Sequence, residues 1–507
     1  MPRPFSRRNF LRSAAAGSTL AIYGNLGSSL GLPLVSAEDV EVNPGIVRLR
    51  PEIEPLVRLL EETPRELLVE KVAVKIRKGT TYREVLAALL LAGVRNIQPR
   101  PSVGFKFHAV LVVQSVHLAS LASPESDRWL PVFWALDYFK DAQTQDMREG
   151  DWTMGPVRES AVPEASKAVE ALRQAMDNWD EAATDAAIAG LVRSAKPEDV
   201  FETLFNYGAR DFRSIGHKAI FTANAHRTLQ VIGWQHSEPV LRSLVYAFLQ
   251  HEGDNPARRD AAADMPGRRN RELASRFRTG WQSGRMDEAA TIQLLSVLRN
   301  GSEQEASEQV VELVNRGADP KSVWDAVFAG AAELVVRQPG IVALHAVTTT
   351  NALHYAWQHC REDSTRRYML LQNAAFLPMF RQAMASRGQL ADRRIDRLTS
   401  VDTPGSREGV DAILAEISRN HLTATGKVLG YLSSGGKAEG LMRAARGVLL
   451  FKANDAHDYK FSGAAFEDFN SISVPWRDRF LAASILRLHG SQDQTNPLIH
   501  RVREAFA

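Results

Sequence analysis

Three ten-residue stretches begin and end with histidine: HAVLVVQSVH from His108 to His117, HKAIFTANAH from His217 to His226, and HAVTTTNALH from His345 to His354. Imidazole is the commonest metal-ligating side chain and the usual acid–base group near neutral pH. Several neutral imidazoles brought together suit Fe, Cu or Zn and need no thiolate. Three such ligands with an open position can activate water or oxygen. Redox-inert zinc would imply hydrolysis or lyase chemistry, whereas iron or copper would imply oxidation.

The spacing restricts how these histidines can meet. Nine residues turn a helix by about 900° and advance it by about 13.5 Å. The two histidines of one stretch therefore face opposite sides of one helix and cannot share an ion. A common site must be assembled between stretches. One candidate set is His108, His217 and His345, to which His457 in DAHDYKFSGAAFEDF adds a fourth member. The second choice is His117, His226 and His354; nine residues after His457 the corresponding position is Phe466. Seven and eleven residues beyond the first set lie small or modestly polar residues: Ser115 and Ala119, Asn224 and Thr228, Ala352 and Ala356. These permit close approach of helices. The second face is bulkier, with Leu121, Gln230 and Gln358. The first set is accordingly the expected metal-ligand set. Asn224 and Asn351 are the expected groups for orienting a bound cofactor or substrate. Carboxylates near the repeats are few, namely Asp211, Glu238, Asp455, Asp458 and Glu467. No residue is assigned a catalytic role. The competing reading is that each histidine is buried and hydrogen-bonded to backbone, which avoids the few kcal/mol that burying an unpartnered polar group costs.

The elements that would carry these residues are helices. EVLAALLLAG, VEALRQAM, AAIAGLVRS, IQLLSVLRN and VVELVNRG have helical or fully buried periodicity, and no long alternating β-branched run occurs. Even VEKVAVKI reads better as helix in this setting. Each histidine stretch is preceded by helix–cap–helix grammar, as in LVRSAKPEDVFETLFNYGARDFRSIG. Each is followed by an apolar block: RWLPVFWALDYFK, EPVLRSLVYAFLQ, RRYMLLQNAAFLPMF and, after His457, WRDRFLAASILRL. The intervals from His108 to His217, His345 and His457 are 109, 128 and 112 residues. The expected fold is all-α: a pseudo-repetitive multi-helix bundle or ring of about four units of roughly 110 residues, with an open stack as the alternative. The unit boundaries fall at about 50–150, 151–285, 286–400 and 401–507 within a single domain spanning 38–507. Three stretches interrupt the pattern: 141–165, the arginine-rich 251–285, and the polar connector 390–410. The arginines of the second read as a solvated face.

The first 37 residues belong to a different category. SRRNFLR, an Ala/Gly/Ser-rich apolar middle and the exit LPLVSA have the three parts of an export signal, and the first resembles the twin-arginine form. Cleavage is expected after Ala37. This segment holds four arginines and no acid, so its removal leaves 58 basic and 59 acidic residues out of 62 and 59. The basicity of the whole chain is thus confined to the signal and gives no reason to expect a nucleic-acid partner. No later run approaches the ~20 apolar residues of a membrane span. The expected location is periplasmic or otherwise extracytoplasmic, and the expected transient partner is the twin-arginine translocase. The single cysteine, Cys360, excludes an intramolecular disulfide, a cysteine-ligated iron–sulfur cluster and C-x-x-C-H haem attachment. H-E-x-x-H, P-loop and G-x-G-x-x-G motifs are absent. His359 beside Cys360 reads as a satisfied pair at a helix end, and Trp134, Trp234 and Trp357 read as core.

LHAVTTTNALHYA and HKAIFTANAHRTLQVIGW resemble an uncharacterised twin-arginine-exported bacterial family. The segment His345 to Thr348 is also similar to a segment of questin oxidase-like proteins, which are helical and associated with oxidative opening of aromatic polyketide rings. That resemblance implies an oxidoreductase and carries over His345 alone. The leading expectation is an exported, His-ligated metal-dependent oxidoreductase acting on a small organic substrate. The alternatives are a non-enzymatic helical scaffold or binding protein with structural histidines, and a haem or other pigment held between units.

Overall fold

The structure, a computed structural model, describes residues 45–506. The export signal over residues 1–37, with its cleavage point after Ala37, lies outside the described residues. Among the described residues the secondary structure is helical throughout, and the only β interaction is the isolated bridge Arg285–Ala318. The chain is an all-α multi-helix bundle.

The helices begin where the side chains dictate. Thr81 and Ser302 each form a reciprocal capping box with a glutamate three residues on, Glu84 and Glu305. Asp180, Asp287, Asp319 and Asn420 each accept a backbone N–H of the first turn. Such caps satisfy donors that the first helical turn leaves unpaired, and each is worth about 1 kcal/mol. Breadth of burial separates inner from outer helices. Tyr82–Asn96 is buried at every position from Val85 onward, while Glu54–Glu62 buries one stripe. VEKVAVKI forms part of the Arg65–Arg77 helix.

At the centre four helices form a closed ring. Val113–Leu121 packs on His217–Ile232, which packs on Ile341–His359, which packs on Ala456–Asp468, which returns to Val113–Leu121. Each has a backing helix outside the ring: Leu130–Glu149, Ser237–Phe248, Asp363–Ala385 and Val474–Ser484, respectively. The backing helices arise from the apolar blocks that follow each histidine stretch, and they contribute Phe133, Leu244, Met369 and Phe480 to the core. Trp134 is buried, while Trp234 and Trp357 pack at the edge of the core.

The interrupting stretches are more structured than their composition suggests. Helix Leu130–Glu149 runs through the first part of 141–165, because Ala142, Gln143 and Asp146 face inward, and it stops at Gly150 with φ 147°. In the arginine-rich stretch, Met265–Leu273 is a helix. Several of its arginines have partners: Arg268 pairs with Asp260, and the Arg271 guanidinium lies 4.7 Å from the Tyr368 ring centre. The connector 390–410 stays irregular except for a short turn until the Arg407–Ile417 helix begins.

Candidate metal centre

His108 and His217 each open a helix, His457 is the second residue of its helix, and His345 lies one turn into Ile341–His359. All four rings meet on the axis of the helical ring. One nitrogen from each lies within 4.8 Å of one nitrogen from every other. The Nε2 of His217 is 3.1 Å from that of His108 and 2.8 Å from that of His345. The His457 ring centre is 4.4 Å from that of His108 and 5.1 Å from that of His345.

The outward nitrogens determine what the inward ones can be. The Nδ1 of His108 is 2.8 Å from the Phe105 carbonyl, that of His217 is 2.5 Å from the Ser214 carbonyl, and that of His345 is 2.7 Å from the Ile341 carbonyl. The Nδ1 of His457 is 2.5 Å from a carboxylate oxygen of Asp455. A carbonyl oxygen only accepts, so each Nδ1 must carry the proton, and each neutral ring presents an Nε2 lone pair to the centre. Lone pairs at these separations repel unless a cation lies among them. The Nε2 of His457 is buried without a hydrogen-bond partner. Oriented rings of this kind, with the second nitrogen tied to a carbonyl or carboxylate, are the usual support of metal-bound histidine.

Burial keeps the rings neutral. It pushes His108, His217 and His345 well below the usual imidazole range, and the nearby charges of Lys460 and the other histidines push in the same direction. Burial also lowers His457, although Asp455 opposes the shift.

The backbone around the first two ligands is strained. Phe105 has φ 49°, Ser214 φ 52°, Ile215 φ 45° and Gly216 φ 82°, in the two turns that lead directly into His108 and His217. Residues other than glycine in this region cost of order 1–3 kcal/mol and persist where their surroundings over-determine them. Here buried ion pairs do so. Lys106 bridges to Asp146 at 2.8 Å. Lys218 donates to both oxygens of Asp211, and Arg213 grips Asp264 through two nitrogens. Burial alone would raise the Asp211 carboxyl, but Lys218, Arg210 and Arg213 hold it below the usual range. Gly104 closes the top of the cluster: a Cβ there would stand 3.0 Å from Cε1 of His217 and 3.3 Å from Cε1 of His108.

Beyond the histidines a narrow shaft lies among the four ring helices. Ser115, Asn224, Thr348, Asn351, Lys460 and Glu467 line it, so all four ring helices contribute. Its free volume is about 20 Å³, close to that of one water-sized probe. Ser115, Leu118, Gly463 and Glu467 also border a second cavity of about 210 Å³, walled largely by apolar residues including Leu449, Leu450 and Phe466. Lys460 is 3% exposed and its Nζ has no hydrogen-bond partner. Burial pushes its ammonium down to about 7, with Asp455 pulling the other way. Lys460 was not among the residues singled out by the histidine spacing. It lies one turn after His457, where the other three stretches carry the uncharged Leu111, Ile220 and Thr348, and that difference is visible in the sequence.

The remaining candidates occupy distinct places. Asn224 lines the shaft and donates from Nδ2 to the Leu111 carbonyl at 2.9 Å. Asn351 also lines it, but its amide donates to Glu467 and Asp468 and its oxygen accepts from Arg227. The second histidine set is dispersed into the outer packing. His117 meets the Tyr82 hydroxyl, His226 meets the Tyr355 hydroxyl, and His354 packs against Trp324 and Phe328. Of the carboxylates, only Asp455 reaches a cluster histidine. Asp211 belongs to the Lys218 ion pair, Glu238 pairs with Arg193, Asp458 with His489, and Glu467 with Arg227. Cys360 caps the Ile341–His359 helix, and burial pushes its thiol up to about 12, which disqualifies it as a nucleophile at neutral pH.

No family model, curated protein or solved structure matches this chain.

Among the described residues no helix is long and apolar enough to cross a membrane. The arrangement can hold one cation among four imidazoles, with a buried amine and a shaft on one side of it.

Proposed function

We propose that this chain binds one transition-metal ion through the Nε2 atoms of His108, His217, His345 and His457 and uses the centre for oxidation or reduction of a small organic substrate. The observation that carries this reading is the convergence of the four ring nitrogens within 4.8 Å while every Nδ1 is occupied by a fixed acceptor. An all-imidazole donor set suits iron, copper or zinc. The rings stand too close together to admit a porphyrin plane, so the reading is a bare ion rather than haem. Iron or copper supplies the electron transfer that an oxidoreductase needs. The protein contributes neutral oriented ligands in a buried core, and the narrow shaft beside Lys460 offers room for about one water-sized group next to the centre. His457 is the least enclosed of the four ligands and the one best placed to yield to an incoming group. The resemblance of His345–Thr348 to questin oxidase-like proteins favours the same chemistry.

A scaffold reading, with the histidines merely structural, requires one ring to donate from Nε2 to its neighbour. That ring's Nδ1 would then be unprotonated and would turn a lone pair towards its carbonyl or carboxylate oxygen. Nitrogen NMR of the imidazoles separates the two readings.

Elemental analysis of protein exported by its own route is expected to find about one iron or copper per chain. A reversible one-electron change in the optical or paramagnetic spectrum should accompany it. Metal-free protein would end the proposal, and zinc alone would remove its redox part. The export assignment rests on SRRNFLR and the small residues before Ala37. Joint Arg7→Lys and Arg8→Lys substitution is expected to retain the protein in the cytoplasm by blocking the twin-arginine translocase.

A further inference from the structure

The geometry points to Lys460 as the anchor for an anionic oxygen: the substrate is an apolar molecule bearing one carboxylate or phenolate, its charged end in the shaft and its body in the adjoining apolar cavity. This inference rests on the metal centre proposed above, which supplies a second positive charge beside the amine.

Three observations carry it. First, the Lys460 Nζ is buried in the shaft with no partner, unlike the other buried lysines. Lys106, Lys140 and Lys218 all reach carboxylates or carbonyl oxygens. A buried ammonium without an acceptor is costly, and an anion arriving in the shaft removes that cost. Second, the local charge is one-sided. The four ligands are neutral imidazoles, and the shaft's one carboxylate, Glu467, is already held by Arg227 through both oxygens. Asp455 accepts from the far nitrogen of His457 and acts on Lys460 only through space, without a hydrogen bond to it. A metal cation in the cluster would therefore lie beside an amine to which no anion is bonded, and a ligand oxygen would offset the charge of both. Third, the shaft has room for about one water-sized group, enough for a ligand oxygen, while the cavity of about 210 Å³ that shares Ser115, Leu118, Gly463 and Glu467 with it is walled by Leu118, Leu449, Leu450 and Phe466. Arg446 lines that cavity with its guanidinium 5.0 Å from the Phe466 ring centre, and it adds positive charge along the entry. Polar head and apolar body thus have separate compartments in a fixed order.

The test uses benzoate and its neutral isostere benzamide on the metal-loaded full-length mature protein, with binding read by calorimetry and metal counted in the same samples. Benzoate is expected to bind at least about tenfold more tightly than benzamide. Lys460→Met is expected to abolish that preference while retaining the ion. Equal binding of the two probes, no binding of either, or a benzoate preference that survives in Lys460→Met would overturn the inference. The comparison in the unsubstituted protein stands alone if the variant fails to fold. A protein that carries no metal refutes the metal-centre reading, and its benzoate-to-benzamide ratio still decides the role of Lys460. A metal-loaded protein that does not discriminate refutes the anion site alone.

Discussion

The Nε2 atoms of His217 and His345 lie 2.8 Å apart although they belong to residues 128 positions apart in the chain, and the Nδ1 of each is already taken by a main-chain carbonyl. Two facing acceptors at that distance are stable only with something positive between or beside them. Removal of one ring should therefore act on the ion more than on the fold. His345→Ala and His217→Ala are each expected to lower bound metal from about one per chain to below about a tenth. His117→Ala and His226→Ala, which alter the outer layer, should leave it unchanged. Mass spectrometry of desalted protein checks this, and loss of metal from the second pair would reverse the assignment.

Asp455 supports the centre from behind. It caps the Ala456–Asp468 helix through the His457 backbone N–H and holds the His457 ring through Nδ1. Loss of a supporting group of this kind typically costs 10- to 100-fold in metal affinity. Asp455→Asn should keep the cap, since asparagine serves there as well, and weaken the ion by that factor in a chelator competition. Unchanged affinity would mean that His457 is not a ligand.

The pH dependence of stability has a definite sign. Burial lowers the His226 imidazole to about 4 and that of His354 to about 3. A group whose folded pKa lies below its unfolded value of about 6.5 binds fewer protons when folded, so protonation favours unfolding. Stability is full above pH 6.5 and falls as pH drops towards the folded values. From pH 7 to pH 5 each of these two should cost about 2 kcal/mol, and the four cluster histidines, also lowered, add to the loss. His354→Leu should flatten the profile by that amount in urea titrations at the two pH values. A profile as steep as the parent's would show that His354 is not held neutral.

Gly216 is the tightest backbone requirement at the centre. It has φ 82°, and a Cβ there would collide with Thr349 Oγ1 on the neighbouring ring helix. Gly216→Ala should destabilise the protein by about 2 kcal/mol or more, through backbone strain and the clash together. Thr349→Ala in the same chain should recover part of the loss. Full stability in the single variant, by thermal melt, would mean that the turn can relax.

The ring and the convergence of its four histidines were legible because they depend on periodicity. A nine-residue interval forces two histidines onto opposite helix faces, and the small residues at Ser115, Asn224 and Ala352 marked the face that could approach others. Apolar runs such as EVLAALLLAG marked inner helices for the same reason. The supports were less visible. The Lys218–Asp211 and Lys106–Asp146 pairs depend on chain paths that composition does not encode, and the positive φ of Phe105, Ser214 and Ile215 falls on residue types that give no local warning. Asn351 shows what residue type alone does not tell: it lines the shaft, yet its amide also bonds Arg227, Glu467 and Asp468. Helix Leu130–Glu149 outran the expected interruption because the inward face of DAQTQDMRE stays buried after its apolar start has ended.

The ring of four helices draws its ligands from widely separated stretches, and the last, His457, comes late in the chain. A ribosome thus exposes three imidazoles long before it makes the fourth. An ion captured early would sit in a half-built nest, open to exchange with whatever metal the cytosol offers. On the proposed reading the Ala456–Asp468 helix is the keystone, because its arrival would complete the set of four imidazoles.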